Sequence, residues 1–152
     1  GFTPRLIAEL LADQSLTVVT ASLLAAEALA HSSTVTVLLL GGRMRGRTLA
    51  TVDEWALERL RSLVIDVAFL GTNAICLEHG LTTPDPAVAA VKQTAVRVAS
   101  RRVLVAAHSK FGQTSFCRFA EVSDFQTIVT GTEFPVPDAH RYEALGPSVI
   151  RA

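Results

Sequence analysis

Short apolar and β-branched runs alternate along this chain with segments of helical spacing. "LTVVT" (Leu16 to Thr20) reads as a strand. "SLLAAEALAHS" (Ser22 to Ser32) reads as a helix, with Ser22 placed to cap its free amides. "TVTVLLL" (Thr34 to Leu40) is a second strand that stops at Gly41-Gly42. In "DEWALERLRSL" (Asp53 to Leu63), Trp55, Ala56, Leu60 and Leu63 share one side of a helix, and Asp53 is expected to cap it with its charge at the positive end. "IDVAFLGT" (Ile65 to Thr72) is a third strand. "PDPAVAAVKQTAVRVASR" (Pro84 to Arg101) is the longest helical segment, with Pro86 in its first turn. Further strands are expected at "RVLVAA" (Arg102 to Ala107), "FQTIVTG" (Phe125 to Gly131) and, at the end, "PSVIRA" (Pro147 to Ala152). "GFTPRLIAELLADQ" puts Pro4 at a first helical position, so a helix is expected from near Thr3. "GGRMRGRTLATV" and "CLEHGLTTPDP" read as long exposed loops.

Runs that are apolar throughout fit strands covered on both faces. Strands that alternate with helices imply crossover connections and a mostly parallel sheet. The expected fold is one α/β domain over residues 1–152, a Rossmann-like, mostly parallel sheet flanked by helices. In such sheets ligands bind beyond the carboxyl ends of the strands. The residues that follow each strand are therefore the candidate site: Thr20-Ala21-Ser22, Gly41-Gly42-Arg43, Gly71-Thr72-Asn73, His108-Ser109-Lys110 and Thr130-Gly131. Hydroxyls and glycines recur there. Hydroxyls and helix amides donate to an anion, and glycine lets the backbone come close. The turn Gly1-Phe2-Thr3-Pro4 fits the same chemistry, with an ordinary capped helix as the alternative.

Composition narrows what such a rim serves. Fourteen basic residues balance fourteen acidic ones, so the chain has no excess charge with which to grip a polyanion. No run approaches the roughly 18 apolar residues that span a bilayer, and no signal-peptide pattern is present; a cytoplasmic setting is expected. Cys76 and Cys117 make no disulfide framework, and their spacing fits no metal site. No His, Cys, Asp and Glu cluster suggests a metal or other cofactor.

Two lysines carry the candidate chemistry. Lys110 follows a strand beside Ser109 and suits a phosphate or carboxylate as a point charge. A solvated loop lysine, or one paired at a subunit contact, is the alternative. Lys92 lies early in a helix among Ala89, Ala90, Val91 and Ala95, where a cation opposes the helix dipole; that favours an anionic partner. His108 and His79 fall in loops near the rim, His31 ends a helix, and His140 has no partner in view. Arg43, Arg45 and Arg47 read as solvated in a strand-to-helix loop.

"DVAFLGTNAI", "GLTTPDPAVAAVKQ", "RRVLVAAHSKFG" and "FQTIVTG" come in this order, preceded by "LTVVTASLLAAEALA" and "VTVLLLGGRMR". Together they resemble the C-terminal effector-sensing domain of the DeoR family of bacterial transcription regulators. The resemblance covers nearly the whole chain and lies in the ordered set rather than in any one motif. It implies a fold similar to sugar-phosphate isomerases and related transferases. It implies a phosphorylated sugar or similar anionic metabolite as ligand, and contact with DNA only through an N-terminal winged helix-turn-helix that, with a first strand, lies upstream of this abruptly starting chain. A homo-oligomer is expected, because a ligand changes operator affinity only by favouring one arrangement of an assembly.

The family's site maps onto this chain position by position. Its Gly-Thr-Thr-Thr phosphate loop falls on Gly1-Phe2-Thr3-Pro4, keeping Gly1 and Thr3. Its Thr-Asn-Ser falls on Thr20-Ala21-Ser22, keeping Thr20 and Ser22. Gly41-Gly42 are intact, as is Leu70-Gly71, which continues to Thr72 and Asn73. Lys92 is kept, whereas Val88 stands at the acidic position four before it. Ala-Asp-His-Ser-Lys-Phe-Gly falls on Ala106 to Gly112, keeping Lys110 but with Ala107 for the Asp. The implied ligand-binding residues are thus Gly1, Thr3, Thr20, Ser22, Gly41, Gly42, Gly71, Thr72, Asn73, Lys92 and Lys110.

The departures at Phe2, Pro4, Ala21, Val88 and Ala107 all remove polar groups. A buried sugar hydroxyl left unpaired costs about 1–3 kcal/mol. A less hydroxylated ligand, weaker binding, or a domain that mainly oligomerises are therefore alternatives. An enzyme of the isomerase or deaminase kind needs a carboxylate base at the rim. Val88 and Ala107 stand where acids are expected, and Glu78 and Asp85 lie in a loop without a fixed place, so sensing is favoured over catalysis.

Overall fold

The computed structural model describes residues 15–152; Gly1, Thr3 and the expected first helix lie outside the described residues. The chain divides into two compact units, with the boundary between Ser62 and Leu63.

In the first unit, β1 (Leu16–Thr20) and β2 (Val35–Leu39) pair in parallel, Leu16 opposite Val35 and Thr20 opposite Leu39. Helix α1 (Leu23–Leu29) connects them. Ser22 is extended, and its hydroxyl accepts the Ala25 amide, so the expected cap is in place. Ala25 and Leu29, one turn apart, are buried with Val18, Val35 and Val37 packed against them. His31 lies beyond the helix end rather than in its last turn. The segment expected as a loop is a hairpin, β3 (Arg43–Arg45) antiparallel to β4 (Ala50–Val52). It depends on Gly42, whose φ is +146° and where a Cβ would run into the Val52 carbonyl oxygen.

Helix α2 (Glu54–Arg61) buries Ala56, Leu57 and Leu60. Two expectations for it are corrected. Trp55 is not on the buried face but stands 78% exposed. Asp53 makes no side-chain cap; its carboxylate accepts from Arg43 Nε at 2.7 Å. The Asp53 backbone, at φ +73°, also lies outside the extended region that a capping residue takes.

The second unit is built on four parallel strands: β5 (Ile65–Leu70), and, farther along the chain, Ala99–Val105, Thr127–Thr130 and Ser148–Arg151. A three-stranded antiparallel sheet stands beside them, formed by β6 (Ala74–Cys76), β7 (Gly80–Thr83) and Cys117–Ala120. Its β6–β7 hairpin takes in Cys76 and Gly80–Thr83 of the stretch expected as a second loop. Gly80 turns at φ +68°, and a Cβ there would run into the Ala120 carbonyl oxygen. Helix α3 (Pro86–Val98) begins at Asp85, whose carboxylate accepts the Ala87 and Val88 amides at 2.7 and 3.3 Å. At its other end Arg102 donates to the carbonyls of Val96, Ala99 and Asp124.

Numbering continues with β8 (Ala99–Val105), which starts at Ala99 rather than Arg102, β9 (Cys117–Ala120) and β10 (Thr127–Thr130). Helix α4 (Val136–Glu143), unforeseen in "EFPVPDAHRYE", leads to β11 (Ser148–Arg151). The strand order is β11-β10-β8-β5. One core serves this unit: Ile75, Leu81, Leu104 and Ile128 are fully buried, with Phe119, Phe125, Phe134 and Tyr142 around them. Each large apolar side chain buried this way contributes about 1.5–3 kcal/mol. The architecture is α/β with a parallel principal sheet, as the apolar runs implied.

Candidate ligand site

The carboxyl ends of β5, β8 and β10 lie side by side, since those strands are parallel neighbours. Lys92 reaches the end of β5 from the second turn of α3. Its Nζ donates to the Gly71 carbonyl at 2.8 Å and sits 5.2 Å from the centre of the Phe119 ring. Among the described residues no carboxylate pairs with it. Burial lowers its pKa from 10.5 to about 8, so the group is still charged at neutral pH. An ammonium has three hydrogens to donate. One goes to Gly71, one side of the charge is met by the aromatic face, and a strong donor remains. Desolvated charges of this kind are costly to keep and concentrate where ligands bind.

The turn after β5 is held by its own side chains. The Thr72 hydroxyl donates to the Ala74 carbonyl at 2.8 Å and lies 3.2 Å from that of Thr82. Its hydrogen is spent on the fold. Asn73 is different: the buried Thr83 hydroxyl donates to its Oδ1 at 2.7 Å. That fixes the amide so that its NH2 remains to donate. Thr83 was not singled out in the sequence; its position just before the "PDP" that starts α3 was the available signal.

Beyond β8, His108–Lys110 form a 3-10 turn. Lys110 is half-buried and has no carboxylate partner among the described residues. Its neighbour Phe111 packs on Phe134, ring centres 4.1 Å apart, and meets Tyr142 edge-on at 5.1 Å. His108 Nδ1 lies 3.6 Å from Glu133 Oε2. The turns after β8 and β10 are therefore joined. His79 is engaged elsewhere, with Arg118 at 3.2 Å and Glu78 at 3.6 Å. His140 is exposed on α4.

In the first unit, Thr20 Oγ1 accepts the Ser22 amide at 3.0 Å and Ser22 Oγ accepts the Ala25 amide at 3.2 Å. Each hydroxyl keeps its hydrogen to donate. The Leu23 amide is taken by the Leu49 carbonyl at 2.8 Å, so the donors left at this end of α1 are chiefly hydroxyls. Thr51 Oγ1 donates to the Leu40 carbonyl at 2.7 Å, tying the hairpin to the end of β2 just before Gly41-Gly42. Among the described residues no three His, Cys, Asp or Glu side chains converge on a metal position, and no helix is long and apolar enough to cross a membrane.

Among known protein families, the DeoR C terminal sensor domain matches residues 1–132. The HTH-type transcriptional regulator GlpR of Haloferax volcanii is 37% identical over 114 residues, which is 75% of this chain and 45% of that protein. The uncharacterized HTH-type transcriptional regulator FruR of Bacillus subtilis is 39% identical over 99 residues, 65% of this chain and 39% of that protein. The glycerol-3-phosphate regulon repressor of Haemophilus influenzae is 30% identical over 132 residues, 86% of this chain and 51% of that protein. The chain thus spans about half or less of the length of these relatives. With the match running over most of its residues, this chain belongs to the DeoR family as a C-terminal sensor domain of transcriptional regulators.

Proposed function

We propose that this sensor domain binds a phosphorylated sugar or a closely related anionic metabolite, with its phosphate at Lys92, and that binding alters the DNA affinity of the regulator that carries it. The observation that supports this most directly is the desolvated Lys92 ammonium, held at the carboxyl end of β5 with no carboxylate partner among the described residues. The free amide of Asn73 and the ammonium of Lys110 add donors on the same edge. Gly71 and Thr72 shape the turn between them. Gly1, Thr3, Thr20, Ser22, Gly41 and Gly42 enter this reading through the family pattern. One relative is named for glycerol-3-phosphate, which is the same ligand chemistry. The chain's balanced charge leaves DNA contact to another part of the regulator, and a homo-oligomer in the cytoplasm is the natural setting for ligand-linked control.

Catalysis fits less well. Of the two loop acids weighed as a base for proton transfer, Asp85 is spent on the first amides of α3.

Titration calorimetry with inorganic phosphate, glycerol 3-phosphate, glucose 6-phosphate, fructose 1-phosphate and ribose 5-phosphate tests the reading. At least one organic phosphate is expected to bind, and Lys92→Met to weaken it about 10- to 100-fold, the range of a charge-assisted hydrogen bond. Unchanged affinity in the variant, or no binding by any of the five, overturns it.

A further inference from the structure

Resting on that reading, we propose that Glu133 recognises the hydroxyl groups of the bound sugar and so sets which phosphorylated compound the domain accepts. Glu133 sits on the turn after β10, two strands from β5. Strand spacing makes that about 10 Å, a span that a sugar carrying a phosphate at one end bridges.

The turn is built to hold this residue still. Arg151 Nε donates to the Phe134 carbonyl at 2.7 Å and its Nη2 to the Thr132 carbonyl at 2.6 Å, so both neighbours of Glu133 are pinned. The Phe134 amide donates to the Gly131 carbonyl at 3.2 Å, and the Phe134 ring is buried against Phe111 and Tyr142. The carboxylate folds back towards the strand end: a Cβ at Gly131 would collide with its Oε2.

The chemistry at this end is that of hydroxyl recognition. An ionised carboxylate only accepts hydrogen bonds, and two neighbouring sugar hydroxyls can each donate their hydrogen to it. The side chain of Glu133 is 65% exposed, with the His108 ring as its one neighbour in ion-pair range among the described residues. Its lone pairs remain open. The Thr130 hydroxyl, at the end of the same strand, is buried and has no hydrogen-bond partner among the described residues. Ala107, at the end of β8, brings no polar side chain. A negative charge here also repels a phosphate, which orients the ligand with its phosphate towards Lys92.

The test compares Glu133→Gln with the wild type, using inorganic phosphate and whichever of glucose 6-phosphate, fructose 1-phosphate and ribose 5-phosphate binds the wild type tightest. The expected result is about a tenfold or greater loss for the sugar phosphate, with inorganic phosphate unchanged within twofold. Deoxy analogues of that sugar phosphate should lose correspondingly less in the variant. If the variant binds the sugar phosphate as well as the wild type, or loses both ligands equally, the assignment of Glu133 fails while the Lys92 reading stands. If neither ligand binds the wild type, both fall.

Discussion

At the scale of single residues, the energetics of Lys92 have a definite sign. Its folded pKa is about 8, against 10.5 when unperturbed, so the unfolded chain holds the proton more tightly between those values. Stability therefore rises with pH from about 8 to 10.5, and the full cost, about 3 kcal/mol, is present at pH 7. Replacing Lys92 by Met removes that cost but orphans the Gly71 carbonyl, worth about 1–2 kcal/mol. The variant should therefore be more stable than the wild type by about 1–2 kcal/mol at pH 7 in urea unfolding, and the wild type's lysine-linked rise between pH 8 and 10.5 should be gone. A less stable variant would mean that the lysine is there for the fold. Phosphate binding keeps the proton on, so wild-type affinity should fall about tenfold per pH unit well above pH 8; a profile that stays level there contradicts the assignment. Lys92 was legible from sequence because a cation in the early turns of an apolar helix is out of place. The chain has only two lysines, and both reach this edge. The hold of Thr83 on Asn73 and that of Arg151 on the Glu133 turn were not legible, because each joins residues ten or more apart in sequence.

Among the elements, those that announce themselves locally were the ones found. β1, β2 and β10 are apolar or β-branched throughout and β5 is so except at Asp66, and α1 and α3 carry helical spacing behind a capping or proline residue. The hairpin strands Arg43–Arg45 and Ala50–Val52 are three residues each, too short to show a period. β7 owes its place to pairing with β9, more than thirty residues away, which no local pattern reports. α4 was hidden by Pro135 and Pro137, which suit a first helical turn but read as a loop. Two glycines separate the kinds of constraint at work. Gly80 (φ +68°) has the Ala120 carbonyl where a Cβ would go, whereas Gly112 (φ +78°) has open space. Gly80→Ala should cost about 3 kcal/mol or more and Gly112→Ala about 1 kcal/mol. Equal losses in chemical denaturation would show that the close approach of β7 to β9 contributes nothing.

For the whole molecule, the α/β class and the parallel order of the main strands followed from the alternation of runs. The boundary at Ser62–Leu63 did not, because "RLRSLVID" contains no glycine or proline to mark it. In the second unit Leu104 and Ile128 are fully buried at the centre of the sheet, and their amides should be among the slowest to exchange in deuterium. Ligand should add protection to residues 108–112 and 131–134 together, since Phe111 and Phe134 stack. Protection of one turn without the other would show that the stack does not couple them.

That stack also contains the chain's single tyrosine, buried and wedged between two phenylalanines whose turns hold Lys110 and Glu133. A chromophore in such a chiral, close-packed setting has a near-ultraviolet circular dichroism band that follows small shifts of its neighbours. Trp55→Phe removes the only indole, leaving Tyr142 to report occupancy without any label, so a metabolite can be titrated against the protein's own colour.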